Sequence, residues 1–183
     1  MRLLFLCFLL PLNCLCQTDD PLSNVPFNDG TIIYEKVYTI DSVNDKDKIF
    51  NGAKSAIIKN TNYKYSKVDE DRVSGNITTV VNFQFSAKPG IARIIFDATS
   101  QLSIDVKENR FRVRLYNNTA SATALGMTVT YQMPQTFTDE QESIKKGKWK
   151  KSKSMIVPWD AKLSIILLAF EHLVADGLKD DDF

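Results

Sequence analysis

The stretch Ile91-Ala92-Arg93-Ile94-Ile95-Phe96-Asp97-Ala98-Thr99-Ser100-Gln101-Leu102-Ser103-Ile104-Asp105-Val106-Lys107-Glu108-Asn109-Arg110-Phe111-Arg112-Val113-Arg114-Leu115-Tyr116-Asn117-Asn118-Thr119 decides the fold. Ala92, Ile94, Phe96, Ala98, Leu102, Ile104 and Val106 are apolar or small, and Arg93, Asp97, Thr99, Gln101, Ser103 and Asp105 alternate with them. Period two is the signature of a strand buried on one side. With Glu108-Asn109 in a turn, Val106 falls opposite Phe111, Ile104 opposite Val113 and Leu102 opposite Leu115. One hairpin register therefore gathers the apolar pairs on one face. It also sets Asp105 against Arg112 on the other face, a cross-strand pair worth ~0.2–1 kcal/mol.

Working outward, residues 31–40 are β-branched and aromatic and predict a first strand. Ile49, Phe50, Ala53, Ala56, Ile57 and Ile58 recur at three- and four-residue spacing, predicting a helix over residues 45–60. Ser42 and Asn44 are its candidate caps, and Asp45 and Asp47 suit its first turn. Residues 63–68 predict a second strand, residues 69–76 a solvated turn and residues 77–85 a third strand, after which Pro89-Gly90 turns the chain into the hairpin. Near the C-terminus, Leu163, Ile166, Leu167, Phe170, Leu173 and Val174 predict a helix over residues 160–176, starting near Pro158, with Gly177 as its C′ residue. The expected class is α+β: an antiparallel sheet of about five strands, in β-α-β-β-β-β-α order, covered on one face by two helices. Residues 120–157 form an irregular insertion in this scheme. A short strand at residues 128–131, ended by Met133-Pro134, and a helical turn or two at residues 138–146 are its regular parts.

A chain of 183 residues with 44% hydrophobic and 25% charged content fits one globular domain. Met1-Arg2 followed by an apolar run broken at Pro11 reads as a signal peptide over residues 1–16, too short to span a bilayer. A flexible leader over 17–29, a single domain over 30–178 and an acidic tail over 179–183 complete the expected layout. The expected location is the periplasm or cell envelope, with a lipid anchor through Cys14 or Cys16 as the alternative. Cys7, Cys14 and Cys16 all lie in the export segment, so the mature protein is expected to hold no disulfide, thiol nucleophile or cysteine metal site. Removing Arg2 from the 23 Lys and Arg balances them against the 22 Asp and Glu. No net charge steers such a chain to nucleic acid, and no transmembrane helix is expected after signal removal.

The residues that could carry chemistry are few. The single histidine, His172, falls within the last helix two residues from Phe170, where a buried or half-buried structural role is expected. Without a cysteine or a Gly-x-Ser-x-Gly elbow, nucleophilic triads are not expected. Asp69, Glu70 and Asp71 do not follow calcium-loop spacing, and neither a P-loop nor a dinucleotide fingerprint occurs among 7 glycines. Asp97 and Asp105 are the formal carboxylate pair, on the polar strand face. The expectation is no catalytic, metal or cofactor site. The candidate contact surface combines Arg110, Arg112 and Arg114, a possible anion-binding stripe, with Lys148, Trp149 and Lys150 from the basic run over residues 145–153.

The leader ending in Gln17, the opening Gly30-Thr31-Ile32-Ile33-Tyr34-Glu35-Lys36-Val37, the helix over residues 45–60 and the hairpin over residues 102–113 together resemble a domain-of-unknown-function family of exported Bacteroidetes proteins with a TATA-binding-protein-like fold. The resemblance implies that fold and carries over no functional residue or DNA binding. The expected function is a non-enzymatic binding or interaction module of the bacterial envelope, meeting an envelope protein or a small ligand. The alternative is a carrier holding an apolar or amphipathic molecule in a cavity between sheet and C-terminal helix.

Overall fold

A computed structural model of the chain describes residues 20–40, 45–60 and 62–179. The segment expected to be an export signal, the candidate caps Ser42 and Asn44, and residues 180–183 lie outside them. In chain order the elements are β1 (Phe27–Asn28), β2 (Thr31–Ile32), β3 (Tyr34–Thr39), α1 (Lys46–Lys59), β4 (Lys64–Tyr65), β5 (Asp69–Asp71), β6 (Asn76–Ala87), β7 (Ile94–Lys107), β8 (Arg110–Ala124), β9 (Met127–Gln132), α2 (Met133–Lys145) and α3 (Ile156–Lys179), with a 3₁₀ turn at Lys151–Lys153.

The hairpin β7–β8 has the register its pattern dictates: Val106 pairs with Phe111, Ile104 with Val113, Leu102 with Leu115 and Asp105 with Arg112. Asn109 closes the turn at φ 62°, the left-handed conformation that Asn adopts more readily than most side chains. Around this pair an antiparallel seven-stranded sheet assembles in the order β3-β8-β7-β6-β4, with β5 paired to β6 and β9 to β8. The two strands beyond the expected five are β5, inside the stretch predicted as a turn, and β9, the short strand of the insertion. The predicted first strand also divides: Ile33 separates β2 from β3, and β2 pairs with β1 in a separate two-stranded ribbon.

Midway along the hairpin, Ser100 alone stands opposite Asn117 and Asn118, because Thr99 pairs with Thr119 and Gln101 with Tyr116. Asn117 takes φ 51° to make room, as a β-bulge requires. The extra residue resets the alternation of β8, so Asn118 and Ala120 turn inward. Asn118 Nδ2 then donates to the Ile32 carbonyl at 3.0 Å, fastening the ribbon to the sheet.

One sheet face is roofed by α1 and α3. Asp45 caps α1, its carboxylate accepting from the Asp47 N–H at 2.8 Å, and the helix buries Ile49, Phe50, Ala53, Ala56 and Ile57. From α3, Trp159, Leu163, Ile166, Phe170 and Val174 are buried together with Phe96, Leu102, Ile104, Val113 and Leu115 of the sheet. Tyr38 donates its hydroxyl to the Leu167 carbonyl, and the Tyr34 ring meets Trp159 edge-on at 5.8 Å. Between the sheet and α3, where a carrier is expected to hold its molecule, these buried side chains form the core.

Three expectations are corrected by packing. Gly177 is not a C′ residue, since α3 continues to Lys179. It is the crossing point with α1, where an added Cβ would stand 2.7 Å from the Gly52 carbonyl oxygen. Residues 20–29 are not a flexible leader: Leu22 and Val25 are buried, Phe27 packs on Phe137 at 4.6 Å, and Gln141 Nε2 donates to Asp20 at 3.0 Å. The insertion is regular, with α2 a third helix whose first turn holds Pro134, a position where the missing N–H costs nothing. His172 also proves exposed, on the outer side of α3.

Candidate interaction surface

Among the described residues, no helix covers the sheet face opposite α1 and α3. On its β3 side Asp105 is the hub. It accepts from Arg112 Nε at 3.0 Å and Nη2 at 2.8 Å, from Arg114 Nη2 at 3.0 Å and from Asn76 Nδ2 at 2.7 Å. Burial alone raises its pKa; the Asn76 hydrogen bond and the two guanidiniums outweigh that and hold the carboxyl below its ordinary value. Glu35 lies 3.6 Å from the other side of Arg112. Arg112 and Arg114 are therefore ion-paired, so two of the three arginines of the stripe belong to a local charge network. Arg110 stands apart at the turn, exposed and paired in register with Lys107 and Thr39.

Toward the other end the face carries hydroxyls and amides. A groove of about 740 Å³ there is lined by Asn82, Gln84, Asp97, Thr99, Thr119 and Ser121, with Tyr63 and Lys162 completing its wall. Thr99 and Thr119 share a hydrogen bond of 2.7 Å across β7 and β8, and Gln84 Nε2 donates to Asp97 at 2.8 Å. Asp97 and Asp105 lie on one strand but roughly 26 Å apart at ~3.3 Å per residue, far beyond the spacing of paired hydrolytic carboxylates.

The basic run is arranged by a different carboxylate. Glu140 of α2 accepts from Trp149 Nε1 at 3.1 Å, from the Ser154 hydroxyl, and from the Met155 and Ile156 N–H groups at 2.7 and 3.2 Å. It satisfies open donors at the start of α3 and holds the connecting loop. Trp149 is half-buried and fastened, so it does not project toward a partner, while Lys148 and Lys150 are exposed beside it. The six residues expected to form one contact surface thus divide between the sheet face and the α2–α3 loop, and none of them lines the groove. Sequence reasoning passed over the groove residues because Thr, Asn and Gln on an alternating face carry no chemical signature. Their succession at outward positions of three adjacent strands was the available signal. Of the acidic triplet, Glu70 pairs with Lys54 at 2.9 Å, Asp69 with Lys67 at 3.2 Å, and Asp71 caps its own turn through Val73 and Ser74. Among the described residues no cluster has metal-ligand geometry, and no helix is long and apolar enough to cross a membrane.

These layers define a TBP-like α+β protein. A TBP-like protein from Parabacteroides distasonis has a similar solved structure, with a TM-score of 0.61 over 82% of this chain and 97% of that one, at 15% identity. A DUF4468 family protein from Bacteroides ovatus gives a TM-score of 0.54 over 84% of this chain and 90% of its own, at 17% identity. At such identities the likeness is one of fold. No protein-family model and no curated protein sequence matches the chain.

Proposed function

We propose that the protein is a non-enzymatic binding module, exported to the bacterial envelope, that engages its partner or ligand through the bare sheet face. The observation that carries this reading is the division of labour across the sheet. The helices pack on one face, and the other presents a groove of mostly uncharged donors and acceptors around Thr99 and Thr119, with Asp97, Lys64 and Lys162 among its lining. Such a surface suits recognition by many modest hydrogen bonds on a rigid platform. At the far end of the face Arg112 and Arg114 are offset by Glu35 and Asp105.

The test is site-specific photo-crosslinking in the native bacterium, with a benzoylphenylalanine placed at Gln84 or Thr119 and, as a control, at Ile165 on the outer side of α3. A discrete adduct from the groove positions and none from the control supports the reading. No adduct, or the same adduct from all three, overturns it. Export is tested separately by N-terminal sequencing of the chain from envelope fractions. The expected first residue is Gln17; a chain retaining Met1 and found only in the cytoplasm refutes export.

A further inference from the structure

The second half of β8 and all of β9 differ from the rest of the molecule in one respect. Between Arg114 and Asp139 there is no Asp, Glu, Lys, Arg or His, in a chain that is 25% charged. This neutral stretch builds the β8–β9 hairpin, and β9 lies at the edge of the sheet, with β8 its one strand neighbour among the described residues. Leu125 at the turn is 98% exposed, Met127 67% and Val129 52%. Edge strands in solution are ordinarily blunted by a lysine, a proline, a bulge or a covering element. β9 contains none of the first three, and its side chains at 127–130 stand in solvent.

We propose that β9 is a dimerisation edge, pairing antiparallel with β9 of a second copy of this chain. The choice of occupant follows from symmetry and charge. A twofold axis brings each residue against its own kind, so any charge near the axis would meet a like charge; this edge has none. In an antiparallel pair, opposed residues share a sheet face. An axis through Val129 therefore sets Val129 against itself and Met127 against Tyr131 on the helix side, and Thr128 against Thr130 on the bare side. Apolar meets apolar and threonine meets threonine. The same threonine pairing already occurs within the chain, at 2.8 Å between Thr123 and Thr128 and at 2.7 Å between Thr99 and Thr119. The product is one sheet running continuously through both copies, with both helical layers on the same side and the exposed apolar residues of β9 covered.

The experiment uses the full chain with Cys7→Ser, Cys14→Ser and Cys16→Ser, so that an introduced thiol is the only one. By sedimentation equilibrium the protein is expected to shift toward the mass of two chains as concentration rises. Val129→Lys places two ammonium groups at the axis and is expected to abolish the shift, with an unchanged far-ultraviolet circular dichroism spectrum because the position is exposed. Val129→Cys is expected to oxidise to a disulfide-linked dimer, and Ile165→Cys on α3 to remain monomeric. A protein that stays monomeric at every concentration overturns the proposal. So does a dimer that survives Val129→Lys, equal crosslinking from Ile165→Cys, or a Val129→Cys chain that crosslinks in envelope fractions only to a different protein.

Discussion

The two faces of the one sheet solve opposite problems with the same strands. Phe96, Leu102 and Ile104 of β7 are fully buried beneath α1 and α3, while Thr99, Gln101 and Asp105, interleaved with them, are only partly buried on the other face. Stability is therefore concentrated on the roofed face, because apolar burial supplies about 25 cal/mol per Å², whereas exposed polar pairs contribute little. The bare face is correspondingly free to vary in side chain without loss of fold. A single strand thus carries an architectural sequence on its even positions and leaves its odd ones to the proposed recognition surface.

Substitutions can break this contrast in graded steps. The largest effect is expected from Trp159→Ala, which empties a fully buried site beside Tyr34. It should cost about 3–5 kcal/mol in urea denaturation, and a loss below ~1 kcal/mol would show that the roof does not hold the molecule together. Gly177→Val comes next, since its side chain must enter the 2.7 Å gap to Gly52. The expected cost is about 1–3 kcal/mol, visible as a lower unfolding midpoint. Glu140→Ala removes the acceptor shared by Trp149, Ser154 and the first amides of α3. Roughly 1–2 kcal/mol should be lost, with faster hydrogen exchange at Met155 and Ile156 as the local readout.

On the bare face the effects should shrink. Asp105→Asn is expected to cost less than about 1 kcal/mol, because Arg112 is 40% exposed and solvent screens the pair. This term has a pH signature. The folded pKa of Asp105 lies below its ordinary value. Its stabilisation is therefore present above that ordinary value and fades as pH falls through the folded one. Denaturation of the native chain and of Asp105→Asn should converge as pH drops below the ordinary carboxylate range. Thr119→Val, in the groove, should change stability by no more than ~0.5 kcal/mol while altering the crosslinking expected there. A loss as large as that of Trp159→Ala would abolish the distinction between the faces.

Much of the fold was legible in the sequence, because period-two alternation around Glu108-Asn109 permits one register and that register occurs. The helix over residues 45–60 was legible for the same reason at its own period, although its cap is Asp45. What escaped was decided by tertiary contact. Gly177 looks like a helix terminator until a second glycine, Gly52, is found against it. Leu22 and Val25 sit among leader-like polar residues and are buried only because α2 offers them Phe137 and its surroundings. The candidate surface was read from charge and one aromatic, which could not show that Asp105 holds Arg112 and Arg114 and that Glu140 holds Trp149, while Arg110, Lys148 and Lys150 stay exposed. The groove's charged residues, Lys64, Asp97 and Lys162, are scattered along the sequence, so the placing of adjacent strands is what reveals it.

One feature of β8 governs how the molecule can be made. Its first half pairs with β3 and its second half with β9, so an early segment and a late one are both aligned on the same strand. During synthesis β3 emerges long before β8 exists and has no other neighbour in the main sheet among the described residues, and Trp159 and Phe170, which complete the roof, emerge later still. Distant pairing of this kind makes folding slow and late. The main sheet can consequently close only after most of the polypeptide has left the ribosome.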